Sequence, residues 1–307
     1  MRTLVKEAGH VADGVKSVRY EGYSSHALPS PHGLVVEPSI AAELILVRFD
    51  GNKRRIGGKQ GGWCPRDAGI AIQVGTAYYL ASYDRRKRIL KYQDKIPWAL
   101  RCCATGFVKR DENEFFYVPF EGDGISNEVL LYSGQGVNQV VPDGLVIYNY
   151  DARNWLFASI TGETRLIYND VGDRWRFNSG MACNGFIWVH GGHEMLLYHY
   201  DGREPARTKY AGCGGCSRGI VANFEARVVV YHFGGGEQEL WTGSYDKWIG
   251  SCDAGLFITR GDEAFLLPYS GEAPKLLWQG PFEDLRPFDE GAIFKNPKEL
   301  VYVPLPG

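Results

Sequence analysis

Two short pairs in this chain have the spacing of metal ligands. Cys213-Gly-Gly-Cys216 is spaced like half of a tetrahedral zinc site, and Cys183 or Cys252, at comparable places in the neighbouring repeats on either side, could supply a second half. Cys103, Cys216 and Cys252 each stand three residues before a recurring glycine, which fits small side chains packed at one level. His190-Gly-Gly-His193 would flank a two-residue hairpin turn, with both imidazoles on one side. No third ligand is visible beside it, and a solvated hairpin tip accounts for the pair. The reading assigns packing to the cysteines and expects neither metal nor cofactor.

Carboxylates and guanidiniums also recur. Asp67, Asp143, Asp253 and Asp289 fall one or two residues before a recurring glycine. Two such carboxylates at one level could serve glycoside hydrolysis as acid and base or nucleophile. Asp-Gly and Asp-x-Gly are also ordinary turn chemistry, and a role needed in every repeat is structural. Arg19, Arg66, Arg101, Arg176 and Arg286 fall on or beside the expected first strands of five repeats. There they could form a cationic collar for an anion or an acidic segment, or pair with neighbouring turn aspartates. The segment from Gly9 to His32 departs most from the repeat, with Ser17 to Tyr20 expected as a first strand and Glu21 to Pro31 as a loop. Loops on a rigid frame are where binding residues concentrate, which makes Tyr23, Ser24 and His26 candidate contacts. A second insertion runs from Gly122 to Asn127. Asp173, Arg174, His190 and His193 form the best group of non-repeating polar residues for an axial pocket. Gly234-Gly-Gly236 is a hairpin turn, not a phosphate loop, because no helix follows it.

These residues hang on a repeat. Glycines at 33, 69, 106, 144, 185, 219, 255 and 291 each open an apolar run, at intervals of 34 to 41 residues. A bulky residue follows each by 14 to 16 positions: Phe49, Tyr83, Phe120, Ile160, Tyr200, Phe233, Tyr269 and Leu305. Turn pairs such as Asp50-Gly51, Thr161-Gly162 and Ser270-Gly271 come next, and then another short strand. The runs are rich in Val, Ile, Leu, Phe and Tyr, and none shows the period of a long amphipathic helix. The interval is that of a propeller blade.

The fold expected is all-β: a single β-propeller over residues 1–307, with eight four-stranded blades. A weak outer strand near Thr208 leaves a seven-bladed alternative. The eighth unit, residues 291–307, lacks an outer strand, and residues 1–8 are expected to supply it and close the ring. The chain resembles the β-propeller architecture along nearly its whole length. Val228 to Gly235 and Phe186 to Gly192 are similar to kelch repeats in their double glycines, while no Trp-Asp pair repeats as in WD40 proteins. Stripped propellers of this kind resemble those of bacteriophage tail hubs and nozzles.

A net charge of −2 gives no broad nucleic-acid or membrane surface, and no run of 18 apolar residues could span a bilayer. Seven cysteines, an odd number, argue against a disulfide framework. The N-terminus has no apolar signal core, so a cytoplasmic or virion location is expected. The function expected is a non-catalytic scaffold that binds other proteins within a larger assembly such as a virion tail or neck. The alternative is an enzyme or carbohydrate-binding lectin working from the axial pocket.

Overall fold

The computed structural model describes residues 10–305 except 23, 40–42, 59–62, 67–68, 75–76, 82, 84–91, 94–100, 103–104, 120–127, 170–179, 182–185, 192–193, 210–212, 225, 289 and 297–298. The described residues form strands and turns without a helix. The strands make eight antiparallel sheets, seven of four strands and one of five. Numbered from the N-terminus, sheet 1 begins with Ser24–Ser30 and Gly33–Pro38, sheets 2 to 7 with Trp63–Arg66, Arg101–Cys102, Gly136–Val141, Gly180–Met181, Cys213–Cys216 and Lys247–Ser251, and sheet 8 with Asp284–Phe288 and Gly291–Asn296. The weak strand of the fifth repeat is present as Ala206–Thr208, paired with Glu194–Tyr198. The Gly122 to Asn127 insertion lies outside the described residues.

The recurring glycines open the second strand of seven sheets, at Gly33, Gly69, Gly106, Gly144, Gly219, Gly255 and Gly291. Gly185, the remaining one, lies outside the described residues. A close approach explains the residue type. A Cβ on Gly219 would sit 2.0 Å from the Tyr231 carbonyl oxygen, and one on Gly144 would sit 2.1 Å from that of Ala158. Gly33, Gly255 and Gly291 meet the same obstacle at 2.1, 2.2 and 2.3 Å. The bulky positions mark the other end of that contact. The amides of Ile160, Tyr269 and Leu305 donate to the carbonyls of Asp143, Ala254 and Glu290, each the residue before the glycine, at 3.0 Å.

The turn pairs and the outer strands are equally regular. Gly51 and Gly271 sit at φ 81° and 80° and donate back to the carbonyls of Arg48 and Pro268, so a Cβ there would strain the turn. Beyond these turns a β-bulge recurs between the third and fourth strands, at Leu44/Ile45, Phe115/Phe116, Trp155/Leu156, Val228/Val229 and Ala264/Phe265. Bulges at one place in these five sheets give each the same added twist.

The N-terminal segment departs from the sequence reading. Val18–Glu21 pairs with Glu299–Pro304 and supplies the missing fourth strand of sheet 8, the place expected for residues 1–8. Residues 1–9 lie outside the described residues. Val18 and Tyr20 are buried while Arg19 and Glu21 are exposed, so alternation along four residues decides which segment fits that edge. His10–Val11 adds a fifth strand to sheet 7 beside Lys275–Gln279, and the Ala12 amide donates to the Leu277 carbonyl at 3.1 Å. Residues expected as a loop form the strand Ser24–Ser30 instead, in register with Gly33–Pro38. Pro29 is tolerated because this strand is the free edge of its sheet and owes no amide to a neighbour on that side.

The chain divides into two compact units, one of residues 1–58, 212–232 and 236–307, the other of 59–211 and 233–235. Each apolar cluster is built from two sheets facing each other. In the first unit sheets 6 and 7 meet through Val230 and Leu256, sheets 7 and 8 through Trp278 and Phe294, and sheets 8 and 1 through Tyr302 and Leu34. Trp278 and Phe294 stack with ring centres 4.7 Å apart. In the second unit sheets 3 and 4 share Leu131 and Leu145, and sheets 4 and 5 share Trp155 and Ile187.

Candidate functional site

Three residues singled out in the sequence come together in the first unit. Ser24 and His26 on the first strand of sheet 1 and Arg286 on the first strand of sheet 8 line one cleft of about 100 Å³, with Lys295 beside them. Its floor is Ala27, Ile293 and Leu300. The strand register explains the grouping. Arg286 lies opposite Ile293, and Lys295 is bracketed by Asp284 and Leu300, so all of these share the face of sheet 8 that meets sheet 1. Tyr20, Ile293, Leu300 and Tyr302 fill the seam with apolar surface, and the cleft is its polar end.

The charges at this mouth are solvated and only lightly tied. Arg286 Nε donates to Asp284 Oδ2 at 2.9 Å, and Lys295 Nζ stands 3.4 Å from Glu283 Oε2, all four side chains being about half exposed. Ser24 Oγ has two carbonyl acceptors, His26 O at 2.8 Å and Glu37 O at 2.9 Å, so it ties the start of its strand to the second strand. That hydroxyl is engaged with backbone and forms no serine–histidine nucleophile pair. Tyr23 lies outside the described residues.

Arg66 and Arg101 lie on the first strands of sheets 2 and 3, as expected, and Arg176 is outside the described residues. Arg19 lies on the outer edge strand of sheet 8, not on a first strand, and its Nη1 pairs with Glu299 Oε2 at 3.3 Å. His190 pairs in register with Met195, so the hairpin does not set it against His193, which with Asp173 and Arg174 is outside the described residues. Cys213–Cys216 is a strand paired with Gly219–Phe224. Cys216 and Cys252 are buried thiols in two apolar clusters, and burial pushes the Cys216 thiol up. Among the described residues no group of three or more His, Cys, Asp and Glu is placed to hold a metal ion.

The second unit contains a polar cluster that sequence reasoning missed. His199 Nδ1 lies 2.7 Å from Asp201 Oδ1, and Arg203 Nε donates to Asp201 Oδ2 at 2.6 Å. Tyr200 donates to Asp143 Oδ2 at 3.1 Å, while Arg165 reaches the carbonyls of Tyr200 and Asp201. Phe186 and Phe233 stand 5.0 and 5.8 Å from the His199 ring. Burial lowers His199, an effect the Asp201 carboxylate only partly offsets. Burial raises Asp201, but hydrogen bonds from Arg203 and His199 outweigh it and hold the carboxyl far below its usual range. These contacts brace the turn at Tyr200–Arg203, so the cluster acts as a strut around it. Asp143 accepts the Tyr200 hydroxyl from the neighbouring sheet. The signal for the cluster was the recurring bulky position that Tyr200 occupies.

The second unit also holds most of the exposed large apolar side chains. Leu130, Val137 and Leu166 are 47, 48 and 52 % exposed on strands of sheets 3 and 4, and Tyr150, 51 % exposed, lies in the turn after Gly144–Asn149; the fifth among the described residues, Phe49, lies in the turn after Glu43–Arg48. Tyr150 meets Tyr148 edge-on at 5.7 Å.

Comparison with solved structures shows the architecture. The WD40 domain of SCAP from fission yeast matches with a TM-score of 0.55 at 8 % identity, covering 97 % of this chain and 98 % of that one. Kluyveromyces marxianus Hsv2 matches at a TM-score of 0.47 and 9 % identity over 84 % of this chain and 97 % of that one. Virginiamycin B lyase from Staphylococcus aureus matches at 0.40 and 10 % identity over 94 % of this chain and 99 % of that one. No family model matches the chain, and no curated protein does. The architecture is that of a β-propeller.

Proposed function

We propose that this chain is a non-catalytic scaffold for other proteins, a closed eight-bladed propeller built into a larger assembly. A virion tail or neck part made in the cytoplasm is the setting that fits best. The observation carrying this reading is the exposure of Leu130 and Leu166, large apolar side chains about half open to solvent in two consecutive sheets. Exposed apolar surface of this kind is where a protein contact is sought. Both lie on the outer strands of their sheets, where the frame presents side chains outward without disturbing the cores.

The test is the native mass of the chain recovered from its source, beside a variant carrying both Leu130→Glu and Leu166→Glu. The reading expects a particle much larger than one chain and release of a folded single chain by the double substitution. A wild-type chain that runs alone, or a variant that stays in the particle, overturns it.

A further inference from the structure

We infer that the cleft between sheets 1 and 8 is a binding site for a small phosphate-type oxyanion, free or as a phosphomonoester. This goes beyond the scaffold reading and is independent of it. The cleft combines an apolar floor of Ala27, Ile293 and Leu300 with a mouth bearing Arg286, Lys295 and His26. Its volume of about 100 Å³ admits an oxyanion with a short apolar substituent.

The arrangement of Arg286 favours this ligand. Asp284 holds the guanidinium through Nε alone and on the same strand, two residues away. A planar guanidinium fixed along one edge keeps its remaining N–H groups in a fork, and a fork matches two oxygens of a phosphate. Lys295 adds a compact charge from the neighbouring strand, and its contact with Glu283 at 3.4 Å is long. The acids nearby are Asp284, Glu283 and the buried Glu37, which lies opposite His26; none of them lines the cleft. The two ion pairs are half exposed, and such pairs contribute little, so an oxyanion displaces or shares them at small cost.

The location gives the ligand a structural consequence. Ser24 and His26 come from near the start of the chain, and Arg286 and Lys295 from near its end. A group held by both joins the first sheet to the last. Binding to the folded chain alone raises its stability by mass action, so occupancy and seam integrity rise together.

The experiment titrates the full chain with sodium phosphate, and separately with ethyl phosphate, at ionic strength held constant with sodium chloride. Binding is read by calorimetry and the unfolding midpoint by circular dichroism. The expected result is saturable binding with a rise in midpoint, weakened about tenfold or more by Arg286→Gln and by Lys295→Gln, since losing one charge-assisted contact costs that much. Arg55→Gln is the control, because Arg55 is exposed and pairs with Glu43 at 2.9 Å on sheet 1 away from the cleft. Tighter binding of ethyl phosphate identifies a phosphomonoester as the ligand, and equal or weaker binding identifies free phosphate. A midpoint that responds to phosphate no more than to chloride, or binding undiminished in both cleft variants, overturns the assignment. The ligand-free circular dichroism of each variant confirms that the substitution, made at an exposed position, leaves the fold intact.

Discussion

Tyr20→Ala tests whether the N-terminal strand holds the last sheet to the first. Tyr20 is 7 % exposed, lies opposite Leu300 in sheet 8, and packs in the cluster that includes Leu34, Val36 and Val47 of sheet 1. Removing a buried aromatic ring costs about 3–5 kcal/mol through lost transfer energy and the cavity left behind. Lys53 stands 5.3 Å over the same ring, and that attraction adds about 0.5–1 kcal/mol. Val18→Ala removes two methyl groups at about 0.8 kcal/mol each before any cavity cost. Arg19 lies between them with its side chain 48 % exposed, so Arg19→Ala should cost about 1 kcal/mol or less. Urea unfolding of the three variants at one temperature reads the order directly: Tyr20→Ala lowest, Val18→Ala next, Arg19→Ala close to wild type. Equal midpoints for Tyr20→Ala and Arg19→Ala would show that this strand does not hold the seam, and the assignment of residues 18–21 to the last sheet would fail with it.

Two further outcomes follow from single positions. Gly219→Ala places a Cβ 2.0 Å from the Tyr231 carbonyl at φ 146°, so its thermal midpoint should fall well below that of Gly234→Ala, where nothing lies within 4 Å; equal losses would refute the close-approach argument. His199 has a folded pKa below its unfolded value of about 6.5, so its stabilising contribution is full above that pH and is lost as pH falls through the interval beneath it. The wild type should therefore lose stability between pH 7.5 and pH 5, and His199→Gln should lose less over the same range; identical pH profiles would remove His199 as the cause.

What could be read in the sequence was what the backbone forces to recur. Gly33, Gly144 and Gly219 are visible because a carbonyl occupies the space a Cβ would need, and Gly51 and Gly271 because their turns need positive φ. Both constraints are local, so spacing along the chain reveals them. The strand Ser24–Ser30 was not legible, because serines and Pro29 read as a loop, and only its place on a free edge makes that composition acceptable. The segment Val18–Glu21 alternates as any strand would, and its sheet is decided by distant partners, Leu300 and Tyr302. The cleft was half visible. Ser24, His26 and Arg286 stood out by type, whereas Lys295 occupies a strand position with no recurring identity and becomes a neighbour only through the register with Asp284.

The seam between sheets 1 and 8 therefore has two ends with different chemistry. At one, Tyr20, Leu34 and Tyr302 exclude water and set the strength of the junction. At the other, Arg286 and Lys295 remain solvated because their partners Asp284 and Glu283 satisfy them only in part. Half exposed, these cations change the stability of the seam little. They give the junction a means of responding to a ligand. Because apolar burial and oxyanion binding act on one interface, Tyr20→Ala should also weaken phosphate affinity when the seam loosens, while Arg286→Gln should lower phosphate affinity without lowering the ligand-free midpoint. Measured together, these two variants separate what holds the seam from what the seam holds.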